Sequence, residues 1–297
     1  MRKEIELNQE QLRLVDRLLD LAIDEDVGDG DATTRALFPN ARHVSGRFVA
    51  RQEGVMAGGG IVRRLYARLG ARFMDNAGAA TVTTLVGDGE RFRAGESLLE
   101  ISGEAQIILM GERTALNLLQ RICAVATRTR SYADQTVGTR AKIYDTRKTT
   151  PGHRVLDKLA VRAGGGENHR MGLYDMILVK DNHLKAFGGP AGAVRAARER
   201  SSLPIMVEVD TLEQLRDALT AEPDYVLLDN MSPETLAEAV RTTDLLTAEK
   251  NLKRPQLEAS GGITLESIAA VAASGVDRIS AGALTHGAGS LDIGLDF

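Results

Sequence analysis

The sequence has 297 residues, 43% hydrophobic and 26% charged, which is enough apolar material for one large or two unequal cores and too much for a disordered chain. Its 37 Lys and Arg against 41 Asp and Glu give a formal charge of −4, so no overall field draws it to nucleic acid or an anionic membrane, and any anion site has to be local. Cys123 is the single cysteine, which excludes an internal disulfide framework and a cysteine-based zinc site and suits a reducing compartment, with cytoplasm as the expectation.

The first residues lack the apolar core of a signal peptide, and no stretch reaches the ~18 apolar residues of a membrane span. From Asn8 to Asp24 the apolar residues Leu12, Val15, Leu18, Leu19, Ala22 and Ile23 recur at helical spacing with charges between them, predicting an amphipathic helix that ends before Gly28. Between Val44 and Ile101 the texture changes to short alternating segments, such as Gly46 to Arg51 and Thr81 to Val86, punctuated by turn signals at Gly87-Asp-Gly89 and Ala94-Gly95. This is the pattern of an α+β domain. Glu112 to about Gln135 predicts a second long helix through Leu116, Leu119, Ile122 and Val125, with Arg113 in its first turn.

After residue 140 a rhythm sets in of short β-prone runs, each followed by polar or glycine residues and then a helical stretch. The runs are Lys142 to Tyr144, Met176 to Val179, Ile205 to Val207, Tyr225 to Leu228, Gln256 to Glu258 and Arg278 to Ser280. Alternation of this kind argues for parallel βα units, closed into a barrel or spread as a doubly wound sheet. Neither the Rossmann nor the Walker glycine pattern occurs, since Gly58-Gly-Gly60 runs into Ile-Val-Arg and Gly164-Gly-Gly166 into Glu-Asn-His.

Nearly every run ends in ionisable or glycine chemistry: Asp145-Thr-Arg-Lys148, Lys180-Asp-Asn-His183, Glu208-Val-Asp210, Asp229-Asn230, Ser260-Gly-Gly262 and Ala281-Gly282. In a barrel these positions gather on one face, and recurrent charges there imply a ligand with anionic groups and hydroxyls rather than salt bridges across the mouth. The glycine pairs after the last two runs suit phosphate held by backbone N–H groups. Arg147 can grip a carboxylate bidentately, Lys148 and Lys180 supply point charges, and Glu208 and Asp229 suit ribose hydroxyls or Mg²⁺. His169 and Arg170, in the glycine-flanked segment Gly164 to Arg170, could meet an aromatic acid. His153, His169 and His183 lack the spacing of a zinc site, and a Schiff base on Lys180 would need a desolvated pocket that the neighbouring charges spoil.

Taken together, Asp145-Thr-Arg-Lys-Thr-Thr-Pro-Gly152, Gly164 to Arg170, Val179-Lys-Asp-Asn-His183, Val207-Glu-Val-Asp210, Leu227-Leu-Asp-Asn230 and Glu258-Ala-Ser-Gly-Gly-Ile263 resemble the quinolinate phosphoribosyltransferase family in order and spacing. The upstream Glu25 to Asp31 and Gly111 to Leu119 fit, as does Leu291 to Phe297, so the resemblance covers nearly the whole chain. Cys123-Ala124 and Ala281 depart from the family's usual residues without removing a charge.

The resemblance implies an N-terminal α/β sandwich domain over residues 1–113, joined by residues 287–297, and an open seven-stranded α/β (TIM-like) barrel over residues 114–286. It implies decarboxylating phosphoribosyl transfer from phosphoribosyl pyrophosphate to quinolinate, giving nicotinate mononucleotide, pyrophosphate and CO₂. Arg147, His169, Arg170 and Lys180 would hold the two carboxylates, together with Arg113 of a second copy in a homodimer or a dimer-based hexamer. Lys148 would lie at the junction with phosphoribosyl pyrophosphate, and Thr146 would also bind substrate. Glu208 and Asp229 would hold the ribose and Mg²⁺, and Ser260, Gly261, Gly262, Ala281 and Gly282 the 5′-phosphate. By this reading Lys148, Lys180, Glu208 and Asp229 serve the chemistry and no organic cofactor is needed. The rivals are a phosphoribosyltransferase for another acid, a barrel aldolase or decarboxylase using Lys180, and a non-catalytic sensor of phosphate ligands.

Overall fold

A computed structural model describes residues 2–38, 40–76 and 78–297. These divide into two compact units, one formed by residues up to Arg130 with Thr149–Gly165 and Leu284–Phe297, the other by Ser131–Lys148 and Gly166–Ala283.

The first unit opens with α1 (Gln9–Asp26), started by a capping box in which Asn8 and Gln11 satisfy each other's backbone N–H groups. The short α2 (Ala32–Leu37) is capped by Asp31. Then come β1 (His43–Ala50), β2 (Gly54–Val55), α3 (Gly59–Met74), β3 (Ala80–Thr84), β4 (Arg91–Phe92), β5 (Ser97–Glu104) and the long α4 (Ala105–Asp134). Strands β3, β5 and β1 pair antiparallel, and α3 packs against this sheet, burying Ile61, Val62, Leu65, Tyr66 and Leu69. Helix α3 follows Gly58, whose left-handed backbone turns the chain from β2 into the helix.

The chain enters α4 directly from β5, because Ala105-Gln-Ile-Ile-Leu-Met110 carries helix-forming apolar residues upstream of the expected start. Arg113 therefore lies well inside the helix, not in its first turn, which corrects the sequence-based expectation. The expected domain boundary at 113/114 likewise falls within this 30-residue helix.

The second unit holds β6 (Lys142–Tyr144) and, after α5 (Arg154–Ala163) has been contributed to the first unit, β7 (Ile177–Val179), α6 (Asp181–Leu184), α7 (Pro190–Arg198), β8 (Ile205–Val209), α8 (Leu212–Leu219), β9 (Tyr225–Asp229), α9 (Pro233–Glu249), β10 (Gln256–Ser260), α10 (Ile268–Ala273) and β11 (Arg278–Ser280). The short α11 (Ala283–His286) leads out, and β12 (Ile293–Asp296) pairs antiparallel with β1, so the last strand belongs to the first sheet. The six strands of the second unit are parallel in the order β6-β11-β10-β9-β8-β7, with β6 and β7 as unjoined ends. Of the seventh strand expected, the structure has one residue, Glu167, bridged to Tyr144 beside β6. Ile205, Met206, Val207 and Val209 are fully buried, as a parallel strand covered on both faces requires. Because the strands run parallel, their C-terminal ends share one edge of the sheet.

Candidate active site

Sheet order sets the order of chemistry along that edge. Arg147 and Lys148 follow β6, Gly282 follows β11, Gly261 and Gly262 follow β10, Asp229 ends β9, Glu208 lies near the end of β8, and Lys180 follows β7. The two glycine ends are neighbours, the two carboxylate strands are neighbours, and cations flank both.

Asp145, fully buried, is the hinge of the cationic end. Its carboxylate accepts the His169 backbone N–H at 2.8 Å and the Asn168 side-chain amide at 2.7 Å, which ties residues 168 and 169 to the end of β6. Arg170 follows, its Nη1 donating to the Met176 carbonyl at 3.1 Å. Burial and the adjacent Arg147 charge hold the Arg170 guanidinium below its ordinary pKa, opposed only in part by Asp175. Two guanidinium groups held this close form a seat for an anion. His169 turns Nδ1 to the Arg170 backbone N–H at 2.7 Å and Nε2 toward Glu258 at 3.4 Å, so both ring nitrogens face groups of the chain itself. Thr146 also acts locally, its hydroxyl accepting the Lys148 N–H at 3.0 Å and shaping the turn.

At the acidic end Lys180 Nζ lies 3.0 Å from Glu208 Oε2. The Lys180 side chain is 49% exposed, so the desolvation that a Schiff-base lysine needs is missing. Asp229 has its carboxyl raised above the ordinary range by burial and by the Asp210 charge, although Lys180, Asn230 and Lys148 pull the other way. Asp210, Lys148 and Lys180 are thus gathered around Asp229.

Asn230 adopts a left-handed backbone, φ 54°, donates its N–H to the Ser260 carbonyl at 2.9 Å and packs its side chain over Gly261. A Cβ at Gly261 would sit 2.1 Å from Asn230 Oδ1, and the φ of 92° also favours glycine, so residue 261 is fixed by space and by conformation. Ala281 is buried and its N–H donates to the Tyr144 carbonyl at 3.1 Å, a donor used within the sheet. Arg113 is exposed on α4 in the first unit, with no ion-pair partner among the described residues.

Sequence reasoning missed the polar groups that support this edge from behind. Asp145, Asn168 and Glu258 lie inside quoted motifs but received no role, because a polar residue at a strand end looks ligand-facing whether it meets ligand or loop. The usable signal was register: Glu258 and Arg278 are opposite charges at matched positions of neighbouring strands.

The family model for the quinolinate phosphoribosyl transferase C-terminal domain matches residues 125–296, and that for the N-terminal domain matches residues 31–123. The chain is 43% identical over 279 residues to the nicotinate-nucleotide pyrophosphorylase [carboxylating] of Mycobacterium leprae, covering 93% of this chain and 94% of that one. It is 36% identical over 295 residues to quinolinate phosphoribosyltransferase [decarboxylating] 2b, mitochondrial, of Nicotiana tabacum, covering 94% of this chain and 80% of the other. Among solved structures it superposes on NadC from Streptococcus pyogenes with a TM-score of 0.88 at 34% identity, over 99% of this chain and 98% of that one.

Proposed function

The chain belongs to the quinolinate phosphoribosyltransferase family, and from that premise we propose that its strand-end edge joins quinolinate to phosphoribosyl pyrophosphate and releases pyrophosphate and CO₂, leaving nicotinate mononucleotide for NAD synthesis. The observation that carries this reading is the sign pattern along the edge: paired arginines, then glycines, then carboxylates, then a lysine. A pyridine dicarboxylate fits the arginine end, a 5′-phosphate the glycines, and ribose hydroxyls the carboxylates.

In this reading Arg147 and Arg170 clamp the quinolinate carboxylates and hold the ring nitrogen in line with the ribose carbon. Such orientation is worth ~7–11 kcal/mol in favourable cases. Lys148 and Lys180 stabilise charge developing on the departing pyrophosphate. Glu208 and Asp229, oxygen donors on neighbouring strands, fit a hard cation, and the repulsion between Asp210 and Asp229 is the kind a divalent ion relieves. Mg²⁺ carried in with phosphoribosyl pyrophosphate would supply further charge neutralisation there. When the ring nitrogen forms its bond to the ribose carbon it becomes cationic, and that charge stabilises the electron pair left on the ring as the adjacent carboxyl departs as CO₂. A proton then takes up that pair.

The exposed Arg113 is assigned to the site of a second copy, making at least a homodimer the active form. Cys123, a lone thiol in no disulfide, suits a reducing, cytoplasmic setting. The test is to incubate purified protein with quinolinate, phosphoribosyl pyrophosphate and Mg²⁺ and to follow nicotinate mononucleotide and CO₂ together. Equal release of both is expected, and nucleotide without CO₂ would transfer the assignment to another acid.

A further inference from the structure

A second ionic cluster lies inside the sheet, away from the open edge. Glu258 on β10 and Arg278 on β11 are register partners, 0% and 5% exposed, with Arg278 Nε 2.7 Å from Glu258 Oε2. The Arg278 guanidinium is packed against the rings of Tyr144 and Tyr225, at 3.7 and 4.6 Å from their centroids. Burying two ions costs more solvation than their attraction commonly returns, and apolar residues of similar size often serve a fold as well. Stability alone does not account for the pair.

Its neighbour does. Glu258 Oε1 faces His169 Nε2 at 3.4 Å, while Nδ1 of the same ring accepts the Arg170 backbone N–H at 2.7 Å. A neutral imidazole has one donor and one acceptor nitrogen, so an accepting Nδ1 places the proton on Nε2, on the side of Glu258 Oε1, a buried oxygen that no hydrogen bond in this structure satisfies. The opposite tautomer would set Nδ1–H against the Arg170 N–H, donor against donor, and Nε2 against a carboxylate, acceptor against acceptor. The backbone of His169 is held from its other side by Asp145 at 2.8 Å.

We propose that Glu258, held in turn by Arg278, is a positioning residue: it fixes His169 in the Nε2–H tautomer, and His169 thereby anchors the backbone of Arg170 so that its guanidinium meets the acid substrate beside Arg147. The proposal rests on the quinolinate reading of the strand-end site. A carboxylate suits position 258 because one oxygen accepts from Arg278, the other is turned to His169, and neither can donate.

Two double variants test it, Glu258→Gln/Arg278→Met and Glu258→Leu/Arg278→Met. Both remove the buried charge pair together, which avoids stranding one ion, and only the first keeps an acceptor facing His169. The quinolinate KM of the Leu variant is expected to be about tenfold above that of the Gln variant, one hydrogen bond's worth, with their phosphoribosyl pyrophosphate KM values within about twofold. Equal quinolinate KM values, or losses for both substrates that track the thermal midpoint, would overturn the proposal. Imidazole ¹⁵N spectra, assigned by the signal lost in His169→Asn, give a readout that needs no turnover. The wild-type His169 signal should be that of the Nε2–H form, and an Nδ1–H or mixed signal would overturn the proposal even if the Leu variant fails to fold. A wild-type protein that turned over no quinolinate would fail the functional reading, while the tautomer would still decide the role of Glu258.

Discussion

The two most heavily charged parts of the molecule are built on opposite principles. In the first unit Asp16, Asp20 and Asp24 on α1 meet Arg64, Arg68 and Arg72 on α3, each acid facing the base 48 positions later. The pairs advance by one helical turn at a time, so two helices running in the same direction present complementary edges. In the second unit the strand ends set Arg147 beside Arg170 and Asp210 beside Asp229, like against like, and burial first and the like charge second push both Arg170 and Asp229 away from their ordinary pKa values. The first array satisfies itself. The second stores repulsion that an anion at one end and a cation or hydroxyls at the other would relieve, and that difference in sign pattern, more than the amount of charge, marks a site.

The largest effects on activity are expected from the repelling arginines. Arg170→Ala and Arg147→Ala should each lower kcat/KM for quinolinate by roughly 100- to 1,000-fold, the scale for losing one partner of a desolvated charge pair. Relief of their mutual repulsion offsets lost contacts such as that of Arg170 with the Met176 carbonyl, so the thermal midpoint should stay nearly unchanged. Steady-state kinetics with a thermal melt checks both, and a variant that loses activity only in step with its midpoint would put these arginines in the structural class of the α1–α3 pairs.

Asp229→Asn should separate stability from function by pH. Burial first and Asp210 second raise the Asp229 carboxyl in the folded protein, so its ionisation destabilises the native state progressively as pH rises above the ordinary value of 3.8. The Asn variant should therefore melt about 1–3 °C higher at pH 7, with the gain shrinking toward the ordinary aspartate range, while use of phosphoribosyl pyrophosphate falls by about tenfold or more. A melting gain independent of pH would remove the electrostatic explanation.

Gly261→Ala probes the neutral part of the edge. Its Cβ would collide with Asn230 Oδ1 on a backbone at φ 92°, so a stability loss of about 1–3 kcal/mol is expected. Gly262→Ala, with φ 61° and open space around its Cβ, should cost less, about 1 kcal/mol. Chemical denaturation compares the two, and equal losses would show that conformation rather than contact with Asn230 governs the turn.

The parallel strands were legible because each is a run of β-prone apolar residues that stops at a charge or glycine: β6 and β11 were located residue for residue, and the others to within a residue or two. The strand-end groups were legible for the same reason. Helix α3 was not, because it opens on poor helix formers, Gly59 and Gly60, inside a stretch whose texture is of short alternating segments, and neither was the true start of α4, where no cap residue separates strand from helix. Glu258 escaped because a charge in a short run looks like the end of that run, and only the paired register with Arg278 tells a buried ion from an exposed one. Nor does local sequence tell that the stretch after Lys148 leaves one unit for the other, since Arg154–Ala163 is as amphipathic as any helix packed on its own sheet.

The smallest effect should come from the self-satisfied array, and its smallness is the point. The Asp20 and Arg68 side chains are 48% and 31% exposed, so water and salt screen most of their attraction. Arg68 also lies 3.3 Å from Asp16, so truncating Asp20 leaves it a second acid to pair with. A double-mutant cycle of Asp20→Ala and Arg68→Ala should give a coupling of about 0.3–1 kcal/mol at low salt, shrinking as ionic strength rises to about 1 M. Turnover should match wild type throughout, because these side chains meet each other and no substrate. A coupling that persists in high salt would mean the ladder is more than a screened surface edge, and a change in quinolinate KM would break the division between a charge array that holds helices together and one that holds a ligand.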